Sequence, residues 1–245
     1  MKTVLINASP KLKGSASAYF LGLLRMFVRR HVVSEQLRRK SDYERLLAEL
    51  PDADTVVFCL PLYVDGVPSH VLSFLKEMEV FCRQSDICLN VYCIANNGFI
   101  EGRQNEPLMR VFQNFCARSG LKWCGGTGIG GGVMLNVTRI LFVVNLAISC
   151  FNTVLHVVQS GSLLDAGILR GFLLGVLILA FLNLGVWISV FGMGRVINSG
   201  SRRHFGEKYT RILLPSFIFI LIADIFFTVT SVFNGGIFRG WLSRK

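Results

Sequence analysis

The last third of the chain carries two stretches that a small soluble domain has no means to bury. Residues 171–194 contain no charged side chain and lie between Arg170 and Arg195, and residues 212–238 contain only Asp224 and lie between Arg211 and Arg239. About 20 predominantly apolar residues in a helix cross the hydrocarbon of a bilayer, so both stretches are long enough. Trp187 and Trp241 sit near their ends, where interfacial aromatics collect. Charge is distributed unevenly in the same sense. Residues 1–134 hold 16 Lys+Arg and 12 Asp+Glu, whereas residues 135–245 hold 10 and 3. Basic residues beside apolar spans face an anionic leaflet. The first half is nearly balanced, which argues against a nucleic-acid-binding surface.

Ahead of the spans the pattern alternates. The apolar segments 2–7, 55–60 and 87–95 read as buried strands, 121–127 as the last strand and 31–37 as a short one. Between them, helices are expected from Ser17 to about Arg30, from Ser41 to Leu50, from Ser69 to about Phe81 and from Pro107 to Ser119, the last stopped by Gly120. Strand–helix alternation with short links implies a parallel sheet covered on both faces. Residues 135–164 are expected to supply its last covering helix. There Thr138, Asn145, Ser149, Asn152, His156 and Gln159 recur at helical spacing as one polar stripe, leaving an apolar face to pack. The expected organisation is a sheet domain over 1–164 and a membrane anchor over 165–245, with hydrophobic helices at about 171–194 and 212–238.

Ligands in open α/β sheets bind beyond the carboxyl ends of the strands. Three loops follow strand ends here. The first, Ser9-Pro10-Lys11-Leu12-Lys13-Gly14-Ser15-Ala16-Ser17, brings hydroxyls, a glycine and helix-entry N–H groups together as an anion cradle. The second, Pro61-Leu62-Tyr63-Val64-Asp65-Gly66-Val67-Pro68-Ser69, is stiffened by two prolines and offers the Tyr63 ring to a planar ligand. In the third, Asn96-Asn97-Gly98-Phe99-Ile100-Glu101-Gly102, the glycines permit close backbone approach.

These loops, in this order, resemble the flavodoxin-like NAD(P)H-dependent FMN reductase family, in the membrane-tailed variety from anaerobic bacteria. The motifs that carry the likeness are Ser-Pro-Lys…Gly-Ser-x-Ser, Pro-Leu-Tyr-Val-Asp-Gly-x-Pro-Ser and Asn-Gly-Phe-x-Glu-Gly, within residues 1–134. The resemblance implies a doubly wound parallel five-stranded sheet of order 2-1-3-4-5, to which the C-terminal transmembrane helices are added. It implies that Ser9, Lys11, Ser15 and Ser17 hold the FMN phosphate. Pro61, Leu62, Tyr63 and Val64, with Asn97, Gly98 and Phe99, would contact the isoalloxazine. Ala8 and Ala16 depart from the family, which often has Gly and Asn there. The implied activity is hydride uptake from NAD(P)H and electron delivery to a quinone, flavin or other small acceptor, at the cell membrane with the flavin domain facing the cytoplasm. A homodimer is one arrangement compatible with this reading. A non-enzymatic flavodoxin-like electron carrier, and a membrane scaffold or sensor with a degenerate flavin site, are the alternatives.

Other features point to structure rather than chemistry. The glycine run 125–132 is expected to be a close-packing turn at the flavin edge, since no acidic residue follows about 20 positions later as a dinucleotide site would need. His31, His70, His156 and His204 are scattered, and His70 reads as a helix-start surface residue. No metal-ligand spacing appears. Seven cysteines without a secretory leader pattern are expected to be reduced and mostly buried. Asp224, mid-span, is expected to serve structure or oligomerisation.

Membrane topology sets two rules against each other. If only 171–194 and 212–238 cross, the segment 195–211 lies opposite the flavin domain. Yet that segment carries Arg195, Arg202, Arg203, Lys208 and Arg211 against Glu207 alone, and short basic loops prefer the cytosol. A crossing by 135–164 as well, or a hairpin of spans that dips into one leaflet, would remove the conflict; the expectation is nevertheless two crossings, with 135–164 kept on the sheet.

Overall fold

A computed structural model describes residues 2–85, 87–132, 134–160, 165–200 and 204–233. Its centre is a parallel six-stranded sheet of order β2-β1-β3-β4-β5-β6. The strands are β1 (Lys2–Asn7), β2 (His31–Gln36), β3 (Thr55–Pro61), β4 (Asn90–Asn96), β5 (Lys122–Gly130) and β6 (Gly206–Arg211). The helices are α1 (Ala16–Phe27), α2 (Tyr43–Ala48), α3 (Ser69–Ser85), α4 (Glu106–Ser119), α5 (Met134–Ser160), α6 (Ala166–Ser199) and α7 (Ser216–Phe233). The first five strands keep the expected flavodoxin-type order. The sixth, from the segment expected to be membrane anchor, was not expected: Gly206 through Arg211 pair in parallel with Gly125 through Gly130.

Side chains alternate across the pleat, which divides the core in two. Val4, Ile6, Val56, Phe58, Val91 and Cys93 join residues of α2, α3 and α4 in one cluster, where Phe58 meets Phe74 and Phe112. The alternate residues Leu5, Val57, Cys59, Tyr92 and Ile94 are equally buried and face the other way. That face is covered by α1 and by the second half of α6, which packs on α1, β5 and β6. The expectation that 135–164 covers it is therefore corrected. Across α5, residues Val137–Gln159 are unburied, and α6 takes its place on the sheet.

Helix α6 thus has two parts. Its buried residues, Asn183, Val186, Ser189, Val190, Met193, Gly194 and Ile197, all fall in the C-terminal half. Their three- and four-residue spacing makes a single stripe. A Cβ on Gly194 would lie 2.8 Å from Phe27 Cβ, so glycine lets the two helices touch. Residues 166–182, roughly 26 Å of helix at 1.5 Å per residue, contribute no buried position. This first half pairs antiparallel with α5. Asn145 Nδ2 donates to Phe172 O (3.3 Å), and at the far end His156 Nε2 lies 3.4 Å from Asp165 Oδ2.

Among the described residues, three helices are long and apolar enough to cross a membrane: Val137–Gln159, Ala166–Ser199 and Ser216–Phe233. Because β6 belongs to the sheet, 206–211 lies on the same side of any bilayer as the sheet. The two-crossing arrangement, which placed it opposite, is overturned by that pairing. Arg202, Arg203, Arg239 and Trp241 fall outside the described residues. The chain divides into compact units at Ile212/Leu213 rather than at 164/165, since β6 ties the first unit, Met1–Ile212, together. The second unit, Leu213–Lys245, contains α7, in which Asp224 is exposed at mid-helix.

The glycine run is also different from the expected turn. It is the body of β5 itself. A Cβ at Gly128 would meet Gly102 O at 2.7 Å, and one at Gly130 would run into Ile100 O. Glycine is needed there because the loop after β4 lies directly against the strand.

Candidate functional site at the carboxyl edge of the sheet

The three loops singled out in the sequence meet at the carboxyl ends of β1, β3 and β4. The first is wound by its own side chains. Ser9 N donates to Asn7 Oδ1 (3.1 Å) and Lys11 N to Ser9 Oγ (3.4 Å), and Gly14 takes a left-handed φ of 67°. Ser15 is the N-cap of α1, its Oγ accepting from Ala18 N at 3.1 Å. The N–H groups of Ala16 and Ser17 lie in the first turn, where no intrahelical carbonyl reaches them. Helix-entry donors of this kind suit an anion, and no acidic residue occupies that turn. Lys11 and Lys13 are exposed beside it.

Ser17 behaves otherwise. Its side chain is buried, and Asn96 Nδ2 donates to Ser17 Oγ at 3.2 Å. The same residue hydrogen-bonds Cys59, whose thiol burial pushes far above the usual cysteine range despite that contact. The hydroxyl is thus engaged inside the sheet. Any anion contact from Ser17 comes from its backbone N–H.

Asn96 is the hub that sequence reasoning missed. Besides Ser17, its amide donates to Leu60 O (3.1 Å), and its own carbonyl accepts from Leu62 N (2.7 Å). One side chain and one peptide group therefore fix the first loop's helix to the start of the second loop. The only cue in the sequence was the paired Asn96–Asn97 at a strand end. Asn97 shapes the third loop: Oδ1 accepts from Phe99 N (3.1 Å) and Nδ2 donates to Glu101 O (3.0 Å). The turn after β5 closes on it, with Gly131 N bonded to Phe99 O (2.6 Å) and Gly132 N to Asn97 O (2.8 Å).

In the second loop, Pro61 stands opposite Asn96 in the sheet register and Leu62 is buried. Tyr63 and Gly66 exchange both backbone hydrogen bonds, 3.1 and 2.9 Å, across Val64 and Asp65. Both turn residues have positive φ, 45° and 55°. This hairpin turn normally takes Asn-Gly or Asp-Gly, and a β-branched valine there is strained. The result is a rigid tip with Val64 fully exposed and Tyr63 half-exposed; Phe99 of the third loop is also exposed.

Two further braces were not read from the sequence. His70 Nε2 lies 3.1 Å from Ala8 O, and Tyr43 Oη donates to His70 O (2.9 Å), so His70 ties α3 to the first loop. On the other side the Arg38 guanidinium donates to Leu12 O (3.1 Å). Arg38 is itself placed by Asp42, whose Oδ2 accepts from Arg38 N (2.9 Å) and Arg39 N (3.0 Å). Burial raises the Asp42 pKa, but those two N–H groups, with the Arg45 and Arg38 guanidinium charges, outweigh it and hold the carboxyl below its ordinary range. No group of three or more His, Cys, Asp or Glu that could hold a metal ion occurs among the described residues.

No family profile and no curated protein sequence matches this chain. Solved structures do. They include the Trp repressor binding protein from Bacillus subtilis, with 16% identity over 51% of this chain and 85% of that chain, at a TM-score of 0.43. An NADPH-quinone reductase from P. pentosaceus has 17% identity over 51% and 83%, TM-score 0.44. A flavodoxin from Agrobacterium tumefaciens has 14% identity over 50% and 75%, TM-score 0.42. Each likeness covers about half of this chain.

Proposed function

We propose that this chain is a membrane-anchored flavoprotein that binds FMN at the carboxyl edge of its sheet and passes electrons from NAD(P)H to a small acceptor. The observation that carries the reading is the convergence of an anion-ready helix entry, a rigid turn presenting Tyr63 and a third loop presenting Phe99, all fastened through Asn96. FMN has the matching parts, a phosphate and a planar ring. The phosphate would rest on the N–H groups at the start of α1, with Ser9, Lys11, Ser15 and Ser17 around it. The ring would lie beside Pro61, Leu62, Tyr63 and Val64 on one side and Asn97, Gly98 and Phe99 on the other. When bound, the flavin supplies hydride and electron chemistry; the protein's part is to hold and orient it. Asn96 and Arg38 keep the loops in place, and the strained Val64–Asp65 tip fixes Tyr63 in advance of binding.

The anchor is the α5–α6 hairpin together with α7. The basic segment 195–211 belongs on the cytosolic side by the charge rule, and β6 brings it to the sheet, so the flavin domain faces the cytoplasm. The test is to purify the full chain in detergent, record its visible spectrum and add NADH or NADPH without oxygen. Bound FMN that bleaches on addition supports the reading. Bound FMN that nicotinamide does not bleach makes the protein an electron carrier instead, and a chain that takes up no FMN overturns the assignment.

A further inference from the structure

We infer that the mouth of the α5–α6 hairpin is a second binding site, separate from the strand-end loops, for the ring of a lipid-soluble quinone that enters from the bilayer; this rests on the flavin reading above. A cleft of about 520 Å³ opens there between α1, α5 and α6, within the size range of small-molecule sites. Leu135, Phe142, Val143, Val176, Leu179 and Ala180 make its apolar walls. Five polar residues complete the lining: Tyr19, Thr138, Arg139, Asn183 and Trp187, of which Thr138 already donates its hydroxyl to Leu135 O (3.0 Å).

Their hydrogen bonding defines the ligand. Trp187 Nε1 donates to Tyr19 Oη at 3.1 Å, so the tyrosine's own proton is left to donate elsewhere. The Arg139 guanidinium lies over the Tyr19 ring, 4.9 Å from its centroid, and forms no ion pair with a carboxylate of the described residues. Asn183 is only 6% exposed. Its Nδ2 donates to Leu179 O (2.9 Å), and its Oδ1 is buried without a partner. A buried acceptor without a donor costs free energy. The cleft therefore offers two donors, Tyr19 and Arg139, and asks for one donor in return at Asn183.

A lipid phosphate has acceptors only and leaves Asn183 unsatisfied. A quinone–quinol pair has both kinds of group, carbonyl oxygens when oxidised and hydroxyls when reduced. Its isoprenoid tail matches the apolar walls between two candidate spans. The position fits as well. Tyr19 is one helical turn beyond Ser15, and Leu135 is three residues past Gly132, whose N–H is bonded to Asn97 O. The inner end of the cleft thus adjoins the first and third loops. Reduction of the quinone to the quinol forms two O–H bonds with two electrons and two protons; the electrons come from reduced flavin, which is oxidised in the same step, and the protons from it and from water. Arg139 and Tyr19 would hold the oxygen on which negative charge develops.

The test is photolabelling of the full chain in detergent with an azido-substituted short-tailed benzoquinone, read by peptide mass spectrometry. Label is expected on the segments around Tyr19, Arg139 or Asn183, displaced by unlabelled decylubiquinone. Below saturation, Arg139→Gln should cut labelling about tenfold, the loss of one good hydrogen bond, and Arg139→Lys should restore part of it; Asn183→Leu should weaken displacement of the label by decylubiquinol about tenfold and leave displacement by decylubiquinone unchanged, because only the quinol has a hydroxyl to donate to Asn183 Oδ1. Circular dichroism of each variant checks folding, and the label map of the unmutated chain stands independently of them. Label confined to the Tyr63 and Phe99 loops overturns the inference, as does displacement by phosphatidylglycerol at equal concentration, which would make the cleft a lipid seat. Nicotinamide bleaching without label in the cleft defeats this inference alone. Label in the cleft of a chain that binds no FMN leaves the site standing and defeats the proposed function.

Discussion

The hydroxyls of Thr127 on β5 and Ser189 on α6 lie 2.9 Å apart, both buried. That contact joins the middle of the sheet to a helix whose composition alone suits the interior of a bilayer. It puts the second half of α6 on the protein side. Replacing either residue with alanine leaves the other hydroxyl unpaired and should destabilise the fold by about 1–3 kcal/mol. The double variant should lose less than the sum of the singles. Thermal unfolding in detergent reads the cycle, and strict additivity would mean the two groups do not interact.

Truncation offers a coarser test of the same arrangement. A chain ending at residue 164 lacks β6 and the covering half of α6, leaving β5 an open edge and one sheet face covered by α1 alone. It should be insoluble or unfolded. A chain ending at Ile212 should keep its fold and, on the proposed function, take up FMN as the full chain does. Proteolytic resistance and flavin content of the two fragments distinguish them, and a well-folded 164-residue fragment would count against α6 as part of the domain.

Native cysteines report the topology. Cys88 is exposed on the sheet domain, and Cys150 is exposed on α5. With Lys208→Cys added on β6, a membrane-impermeant maleimide should treat positions 88 and 208 alike: both protected in intact cells, both labelled after lysis. Cys150 should stay unlabelled in either case, shielded by lipid. Labelling of position 208 while Cys88 remains protected would contradict the pairing of β6 with β5.

Asp42 should make the first loop sensitive to acid. Its folded pKa lies below the ordinary 3.8, so its contribution to stability is fully present above the unfolded value and is lost as pH falls through the folded one. Asp42→Asn should therefore lower the melting temperature at neutral pH, and the gap from the unmutated chain should close as pH falls below the ordinary carboxylate range. Since Asp42 places Arg38 and Arg38 holds Leu12 O, the variant should also retain FMN more weakly. A constant gap at every pH would assign the effect to something other than the carboxylate.

The turn at Val64 stores strain. Val64→Gly removes the β-branched side chain from a φ of 45° and should raise stability by about 1 kcal/mol. Unchanged or lower unfolding temperature would show that the strain is relieved in some other way.

Much of the site was legible because its chemistry is local. Glycines, prolines and hydroxyls at strand ends announce loops whose backbone approaches a ligand, and those loops stand where they were expected. The commitments of particular side chains were not legible. Whether Ser17 turns outward to an anion or inward to Asn96 depends on what lies 79 residues further along the chain, and no local pattern records it. Arg38 and His70 brace the first loop through single contacts to carbonyl oxygens, which any nearby donor serves equally well.

The sequence by itself determined five of the six strands, where the helices of the sheet domain lie and which segments are too apolar for water, because each of these depends on residues close together in the chain. The tertiary structure alone decided what covers each apolar segment. Hydropathy measures a helix's aversion to water and is indifferent to whether lipid or a sheet relieves it, so α5 and the second half of α6 exchanged their expected places. It also decided that the polar stretch Gly206–Arg211 is a strand. Edge strands are held by backbone hydrogen bonds, which any side chain permits, and only the open edge of β5 a long way back in the sequence supplies the partner.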